Sequence, residues 1–367
     1  MFKVKENPDS SILKHKAQLV AKGFLQLVSF DFTKTFSLVV KPITIRIFLI
    51  IALSNGWYVR QLDVNNAFLN GDLQEEVYME QPAGFENSNS LHLVCQLHKA
   101  LYGLKQTPRA WFEKLRDVLV SLGFMSSKFD HSLFIRHSTS CTMFVLVYVD
   151  DILVTRSFKF EIQALVQQLN TRFALKDLGE VDYFLGIQVK HTTDGLHLSQ
   201  TKYVTDLLCK TKMQYAKELP TPMSRGEKLS CIGSDPIGNP QLYRSIVRAL
   251  QYVTITQPEL AYSVNRICQF MQNPLESHWK VIKRILKYLR GTLDHGLHLK
   301  RSMNLDITGF CDADWASNLD ERRSTIGFYV YLGSNMIYWN SNKQNTVSRS
   351  STVAEYRSLA TLAAKVT

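Results

Sequence analysis

Two adjacent aspartates, Asp150 and Asp151, interrupt the otherwise apolar stretch MFVLVYVDDILVTRS at residues 143 to 157. Ionised aspartates in apolar surroundings are strongly unfavourable without a partner, and neighbouring like charges repel each other. The arms FVLVYV and ILVT are short, apolar and β-branched, which predicts two buried antiparallel strands. The chain is therefore expected to hold two carboxylates at the turn of a buried β-hairpin.

Two interpretations of this hairpin remain open from these residues. Aspartate is common in tight turns, so the pair alone fits an ordinary turn. A carboxylate site for a divalent metal instead draws its oxygens from more than one segment. Asp63 is the candidate third ligand, near the end of the predicted strand WYVRQLDV, although a strand-end residue can also be purely structural. Three such aspartates could hold two magnesium ions for an in-line phosphoryl displacement.

Composition narrows the classes of protein. The 367 residues are 45% hydrophobic and 20% charged, which is typical of two or three globular domains. The net charge of +11 favours a polyanionic partner, and nucleic acid ranks ahead of an anionic membrane because no long amphipathic anchor accompanies the charge. The charged N-terminus and the absence of a long apolar run predict neither secretion nor membrane insertion. Six scattered cysteines fit reduced thiols in an intracellular protein, either cytoplasmic or nuclear.

Two later segments have clear signatures. Residues 219 to 240 are rich in Pro, Gly and Ser without periodicity, which predicts a connector between domains. The segment ESHWKVIKRILKYLRGT predicts a helix ending near Gly291, with an apolar face and a basic face. Solvation and contact with a phosphate backbone explain the basic face equally well. The apolar face comprises Trp279, Ile282, Ile285, Leu286 and Leu289, and the basic face comprises Lys280, Lys283, Arg284, Lys287 and Arg290.

A series of motifs resembles the copia-type long-terminal-repeat retrotransposon polyprotein, in that family's order and over almost the whole chain. The motifs are QLDVNNAFLNGDL, LHKALYGLKQTPRAWF, LVYVDDILVT, KDLGEVDYFLGIQV and GFCDADWASNLDERRSTIGFYVYLG. The resemblance implies an α+β fold: a right-hand polymerase with fingers, palm and thumb over residues 1–218 and an antiparallel palm sheet. A linker and connection region over 219–304 and a ribonuclease H-like α/β module over 305–367 would follow. DYFLGIQV resembles the hairpin that positions the primer.

The resemblance also implies the chemistry of a reverse transcriptase. Asp63, Asp150 and Asp151 match the palm carboxylates that bind two Mg²⁺ ions, with Mn²⁺ as a substitute. The expected partners are an RNA template, a DNA primer, their RNA–DNA hybrid and deoxynucleoside triphosphates, with association to other polyprotein products left open. A membrane is not among them.

Further site residues follow from the same resemblance. Phe68 matches the aromatic residue under the nucleotide sugar, although a core Phe is the alternative. Gln106 and Arg109 match polar residues along the nucleotide and template, while Tyr102, Trp111 and Phe112 are expected to pack their helix. Lys14, Lys16 and Lys22 are candidates for triphosphate contact, and each equally fits a solvated lysine.

The last segment resembles the start of a ribonuclease H domain. Asp312 and Glu355 match two of its metal-binding carboxylates, although Thr352 with Glu355 also forms a capping-box pattern. The chain ends soon after Glu355, so we expect a vestigial nuclease site, an unpaired sheet edge and poor solubility of this part.

Five residues depart from the family pattern, two of which are Leu38 and Val353 in place of a usual Pro and Glu. Gln18 replaces a usual Arg, Arg156 replaces a usual Gly and would be strained if its turn needs φ > 0, and Arg248 replaces a Gly where a long side chain could force backbones apart. Two hypotheses follow. The chain is an RNA-directed DNA polymerase domain, or it is a decayed element fragment that at most binds nucleic acid.

Overall fold

The structure is a computed structural model that describes residues 2–6, 11–35, 40–90, 92–138 and 142–366. It divides into two compact units, one drawn from residues 1–48 and 56–181 and the other from residues 49–55 and 182–367. Helices and antiparallel sheets occur in both units, which confirms the predicted mixture of helix and antiparallel sheet. The finer division into three domains at residues 218 and 304 stays a prediction.

The first unit is built on a six-stranded sheet with the strand order β10-β3-β9-β8-β7-β6, in which every neighbouring pair is antiparallel. Two short hairpins, β1 with β2 and β4 with β5, accompany it. The elements are β1 Phe2–Glu6, β2 Ile12–Ala17, β3 Tyr58–Val64, β4 Asp72–Met79, β5 Cys95–Lys99, α2 Thr107–Ser121, β6 Met125–Ser126, β7 Leu133–His137, β8 Thr142–Tyr148, β9 Asp151–Arg156, α3 Lys159–Asn170 and β10 Leu175–Glu180. Helix α1, Pro42–Asn55, begins in this unit, and its residues 49–55 belong to the second.

The core of this unit lies between the sheet and the helices α2 and α3. Leu115 and Leu119 of α2 and Leu165 and Leu169 of α3 share one buried cluster with the strands. Strands β8 and β9 are apolar along almost their whole length because they occupy central positions in the sheet. The predicted hairpin is confirmed, with Asp150 in the turn and Asp151 at the start of β9.

The second unit contains a four-stranded sheet of order β11-β12-β13-β14, a helical cluster and a three-stranded sheet of order β15-β16-β17. Helix α8 packs on the last sheet, where Ala354 shares a buried cluster with Ala313 and Ile326. The elements are β11 Tyr183–Phe184, β12 Ile187–His191, β13 Gly195–Ser199, α4 Thr201–Lys210, α5 Pro240–Val253, α6 Ala261–Cys268, α7 Glu276–Gly291, β14 Gly296–Lys300, β15 Ile307–Asp314, β16 Thr325–Leu332, β17 Asn335–Lys343 and α8 Ser351–Val366.

This unit contains the helix and the aperiodic segment that the sequence analysis singled out. Helix α7 spans Glu276–Gly291, and the buried side chains Ile282, Ile285 and Leu289 confirm its apolar face. Residues 219–239 form no helix and no named strand, and Pro240 begins α5. The role of residues 219–240 as a connector between domains stays a prediction. They are not a free spacer, however, because Leu229 is buried in the same cluster as α5, α6 and α7.

Strand β15 lies at the edge of its three-stranded sheet. Ile307 and Phe310 are each about half exposed along it, and an exposed apolar edge strand favours association. The expected poor solubility of this part stays a prediction. Among the described residues, no helix has the length and apolarity needed to cross a bilayer.

Candidate active site

Three aspartates meet at one end of the six-stranded sheet. Strands β8 and β9 pair directly up to the two-residue turn formed by Val149 and Asp150. Asp63 lies opposite Asp151 on the neighbouring strand β3. The amide of Val64 donates to the carbonyl of Asp150 at 2.9 Å, which ties the turn to the end of β3. The register of the sheet thus brings Asp63, the candidate third carboxylate, to the same end of the sheet as Asp150 and Asp151.

The turn itself has a strained backbone. Val149 has a φ of 53°, in the left-handed region that β-branched residues rarely adopt. Its carbonyl accepts a 2.6 Å hydrogen bond from Nε1 of Trp111 on α2. Trp111 is 1% exposed, and Val147 and Ile152 on the two arms are equally buried. A packed helix and two buried strands therefore hold the carboxylates in place.

The electrostatics of the site centre on Asp151. Burial raises the pKa of its carboxyl above the usual value, and the negative charges of Asp150 and Asp63 raise it further. A hydrogen bond donated by Nε2 of Gln61 at 3.2 Å opposes this rise. Burial also raises the pKa of the Tyr102 hydroxyl, with added contributions from the charges of Asp150 and Asp63. The site is thus a concentration of negative charge beside a phenol.

Phe68 and Tyr102 form an aromatic pair beside the aspartates. Phe68 lies in the 3₁₀ turn that follows β3, and the two ring centroids are 5.0 Å apart. At Gly103 the φ is 96°, and a Cβ atom there would collide with the carbonyl of Ala21. Only glycine allows this close approach of two backbones beside the site.

The candidate lysines lie on the segment that makes this approach. The amide of Ala21 donates to the carbonyl of Tyr102 at 2.7 Å, which brings the exposed Lys22 close to the aromatic pair. Lys14 and Lys16 lie on β2, a few residues earlier in the chain. The structure therefore places Lys22 next to the residue that pairs with Tyr102, and Lys14 and Lys16 on the strand that precedes it.

Gln106 and Arg109 lie at the start of α2 with occupied polar groups. Gln106 is 2% exposed, donates to the carbonyl of Asp31 at 2.9 Å and accepts from Nε2 of Gln26 at 3.0 Å. Arg109 pairs with Glu113 at 2.8 Å. In this structure Gln106 anchors the loop around Gln26, which sequence reasoning did not anticipate.

Tyr102 and Trp111 were expected only to pack their helix. Tyr102 instead faces the carboxylates, and Trp111 both packs in the core and bonds the turn. Both residues lie in the motif LYGLKQTPRAWF, which could have indicated a role at the site. Apolar residues at helical spacing are first interpreted as core residues, however, so these roles were not predicted.

A family model described as "Reverse transcriptase (RNA-dependent DNA polymerase)" matches residues 1–225, more than half of the chain. The chain belongs to the reverse transcriptase family. It is 48% identical over 360 residues to the "Retrovirus-related Pol polyprotein from transposon RE1" of Arabidopsis thaliana, a match that covers 98% of the chain and 25% of that relative. It is 39% identical over 366 residues to the "Retrovirus-related Pol polyprotein from transposon TNT 1-94" of Nicotiana tabacum, covering 97% and 28%.

A shorter relative also matches the chain. An uncharacterized mitochondrial protein of Arabidopsis thaliana is 46% identical over 226 residues, which cover 61% of the chain and 93% of that protein. The chain spans about a quarter of the length of the two polyproteins. The resemblance to copia-type retrotransposon polyproteins is confirmed by these matches.

The structure shows the surroundings of three residues that depart from the reverse transcriptase pattern. Arg156 is the last residue of β9, in extended backbone, so the predicted strain from a positive φ does not arise. Its buried guanidinium pairs with Glu161. Arg248 is exposed on α5, so the expected displacement of a close backbone is wrong. Gln18 follows β2 and is half-buried.

A second carboxylate pair lies in the C-terminal sheet of the reverse transcriptase chain. The amide of Ala313 donates to Asp312 Oδ1 at 2.9 Å and to Glu355 Oε1 at 3.3 Å, so one backbone group brings the two carboxylates together. The structural alternative for Glu355, a capping box with Thr352, does not form. Ser350 Oγ caps the first turn of α8 instead, and Glu355 reaches across to β15.

The fit of a metal ion to the candidate active site depends on the chemistry of its donor atoms. Within the ranges that the structure describes, no three His, Cys, Asp or Glu side chains form a group that could hold a metal ion as they stand. Burial, and after it the negative charges of Asp150 and Asp63, nonetheless raise the pKa of Asp151. Carboxylate oxygens are the ligands that Mg²⁺ prefers, and a divalent cation would relieve this repulsion. The donor set fits the ion.

Proposed function

We propose that the chain catalyses RNA-templated DNA synthesis. In this reaction the 3′-hydroxyl of a DNA primer attacks the α-phosphate of a deoxynucleoside triphosphate, and pyrophosphate leaves. The observation that carries the proposal is the register that sets Asp63 opposite Asp151, beside Asp150 at the tip of a buried hairpin. Membership of the reverse transcriptase family supports the same reaction.

Asp63, Asp150 and Asp151 are the proposed ligands of two Mg²⁺ ions, with Mn²⁺ as a substitute. Bound ions would supply activation of the attacking hydroxyl and neutralisation of the leaving oxygen. The apolar arms of the hairpin would hold the carboxylates in place, because side chains on both faces of each arm are buried. Gln61 holds one oxygen of Asp151 and thereby limits its rotation.

The neighbouring side chains are proposed to position the substrates. Phe68, supported by the ring of Tyr102, would lie under the sugar and disfavour a 2′-hydroxyl. Lys22 would contact the triphosphate, with Lys14 and Lys16 earlier on the same segment. Arg109 would lie along the template, while Gln106 would act through the loop that it anchors.

The proposal extends to architecture and partners. The six-stranded sheet would be the palm between fingers and thumb, and β11 with β12 would position the primer. Residues 305–367 would be a ribonuclease H-like module with a vestigial nuclease site, to which Asp312 and Glu355 belong. The partners would be an RNA template, a DNA primer and their hybrid, together with other polyprotein products, inside the cytoplasm or nucleus.

Primer extension on an RNA template tests the reaction. The full chain is compared with the double variant Asp150→Asn, Asp151→Asn and with Asp117→Asn, which removes one exposed carboxylate from α2. We expect extension with Mg²⁺ by the parent and by Asp117→Asn, and a loss of about a hundredfold or more in the double variant. EDTA should abolish extension, and Mn²⁺ should restore it in part.

A non-catalytic nucleic-acid-binding remnant is the second candidate. The net charge of +11 and the lack of a ready three-carboxylate group among the described residues favour it. Under this alternative the folded parent chain binds an RNA–DNA hybrid but extends no primer, whichever divalent ion is present. That result would overturn the polymerase proposal.

A further inference from the structure

The hairpin of β11 and β12 turns through two residues in the left-handed region. Phe184 pairs with Ile187 across the turn, so Leu185 and Gly186 form it. Their φ values are 50° and 72°. Two-residue turns with both φ values positive favour Gly, Asn and Asp at these positions. Leucine is disfavoured there by its own backbone, so the surroundings must hold the turn in this conformation.

Tyr252 on α5 lies directly against this turn. Its hydroxyl donates a hydrogen bond to the carbonyl oxygen of Leu185, 67 positions earlier in the chain. A Cβ atom on Gly186 would lie 2.5 Å from Oη of Tyr252, so only glycine leaves room for the phenol. One side chain from a distant helix thus contacts both residues of the turn.

The helical cluster fixes the position of Tyr252. Its ring packs edge-on against the ring of Tyr203 on α4, with the centroids 4.8 Å apart. Tyr203 in turn packs against the buried cluster that includes Leu250 and Val253 of α5. The half-buried ring of Tyr252 therefore has little freedom to follow a turn that changes its conformation.

We propose that Tyr252 is a positioning residue for DNA synthesis, because its hydroxyl holds the turn that sets where the primer lies on the hairpin. The inference rests on the proposed function of β11 and β12 in positioning the primer. Tyr252 contacts neither substrate nor metal ion in this scheme and acts through Leu185 alone. Without the hydroxyl, Leu185 relaxes from its left-handed conformation and the hairpin presents the primer in several positions. Misplacing a reacting atom by about 1 Å can cost about a hundredfold in rate, so a small change in the turn is sufficient.

Three variants of the full chain separate the hydrogen bond from packing. Tyr252→Phe removes the donor and keeps the ring. Tyr203→Phe is the matched control, because it removes a phenol hydroxyl from the neighbouring ring and leaves the bond to Leu185 in place. The double variant Tyr252→Phe, Leu185→Gly is the rescue, because glycine adopts a positive φ without the hydrogen bond.

Two measurements read the position of the primer. Exonuclease footprinting of a bound RNA–DNA hybrid without nucleotides locates the hybrid and needs no polymerase activity. The burst phase of primer extension from a preformed complex separates rate from amplitude. A misplaced primer lowers the burst rate, whereas a smaller folded fraction lowers only the amplitude.

We expect one sharp footprint boundary in the parent, in Tyr203→Phe and in the double variant, and a boundary spread over several nucleotides in Tyr252→Phe. The burst rate of Tyr252→Phe should fall about tenfold at unchanged amplitude, and Leu185→Gly should restore most of it.

The outcomes distinguish this inference from the polymerase proposal. A parent that gives the expected footprints but extends no primer would contradict the polymerase proposal and support the role of Tyr252 in primer placement. An unchanged boundary in Tyr252→Phe would overturn the inference even where the parent extends primers, as would an equal spread in Tyr203→Phe. A parent that gives no footprint would overturn both.

Discussion

The indole nitrogen of Trp111 lies 2.6 Å from the carbonyl oxygen of Val149, the residue that precedes the aspartate pair. Val149 adopts a left-handed φ of 53°, and such a conformation persists only where the surroundings enforce it. Trp111 is fully packed in the core, with the ring of Phe173 at 5.1 Å. A core side chain thus controls the backbone that presents the carboxylates.

Trp111→Phe should lower kcat more than it lowers stability. The ring keeps most of its packing but loses the donor to Val149, so the turn can relax and displace Asp150 and Asp151. We expect kcat to fall about tenfold to a hundredfold and the free energy of unfolding to fall by about 1–3 kcal/mol. Phe173→Leu is the control, because it disturbs the same packing and keeps the hydrogen bond. An equal loss of kcat in both variants would contradict the role of the bond.

Asp151→Asn should stabilise the metal-free protein. The pKa of Asp151 is raised, so the folded state binds this proton more tightly than the unfolded state does. The free energy of unfolding therefore falls as pH rises from the ordinary aspartate value through the raised pKa. At neutral pH in EDTA we expect the melting temperature to rise by about 2–4 °C, the effect of about 1 kcal/mol. Mg²⁺ should narrow the difference, and Asp117→Asn should show no such gain.

Glu161→Gln should destabilise the first unit. Arg156 is 4% exposed at the end of β9, and the variant leaves its guanidinium without the Glu161 carboxylate. We expect a loss of about 2–4 kcal/mol in urea unfolding, because a buried charge without its partner is costly. Glu113→Gln breaks the half-exposed pair with Arg109 and should cost less than about 1 kcal/mol. Similar losses in the two variants would contradict this account.

Asp130 should make the free energy of unfolding depend on pH in the acid range. Burial disfavours its ionised form, but hydrogen bonds from Ser132, Thr44 and the Lys41 amide outweigh this and hold its pKa below the usual value. Its contribution is therefore present above the unfolded-state pKa and lost as pH falls through the folded-state pKa. Asp130→Asn should cost about 2–3 kcal/mol at neutral pH, and the difference from the parent should shrink below about pH 4. If urea titrations gave the same difference between the variant and the parent at every pH, this prediction would be wrong.

Local elements were predictable wherever side-chain periodicity is strong. The hairpin around Asp150, the strand that carries Asp63 and the helix Glu276–Gly291 all follow from the alternation or helical spacing of apolar residues. Local patterns also left alternatives open. The pattern of Thr352 with Glu355 allowed a capping box, but Ser350 caps the helix, and Glu355 accepts a hydrogen bond from Ala313 on β15, which is distant in sequence.

By itself the sequence determined the hairpin and the family, and it predicted the three carboxylates, because short apolar arms and ordered motifs are local properties of the chain. Only the tertiary structure decided that Asp63 lies opposite Asp151 and that Trp111 donates a hydrogen bond to the turn. These relationships join residues far apart in the chain. They depend on strand register and on the packing of helices against other elements, which no local pattern encodes.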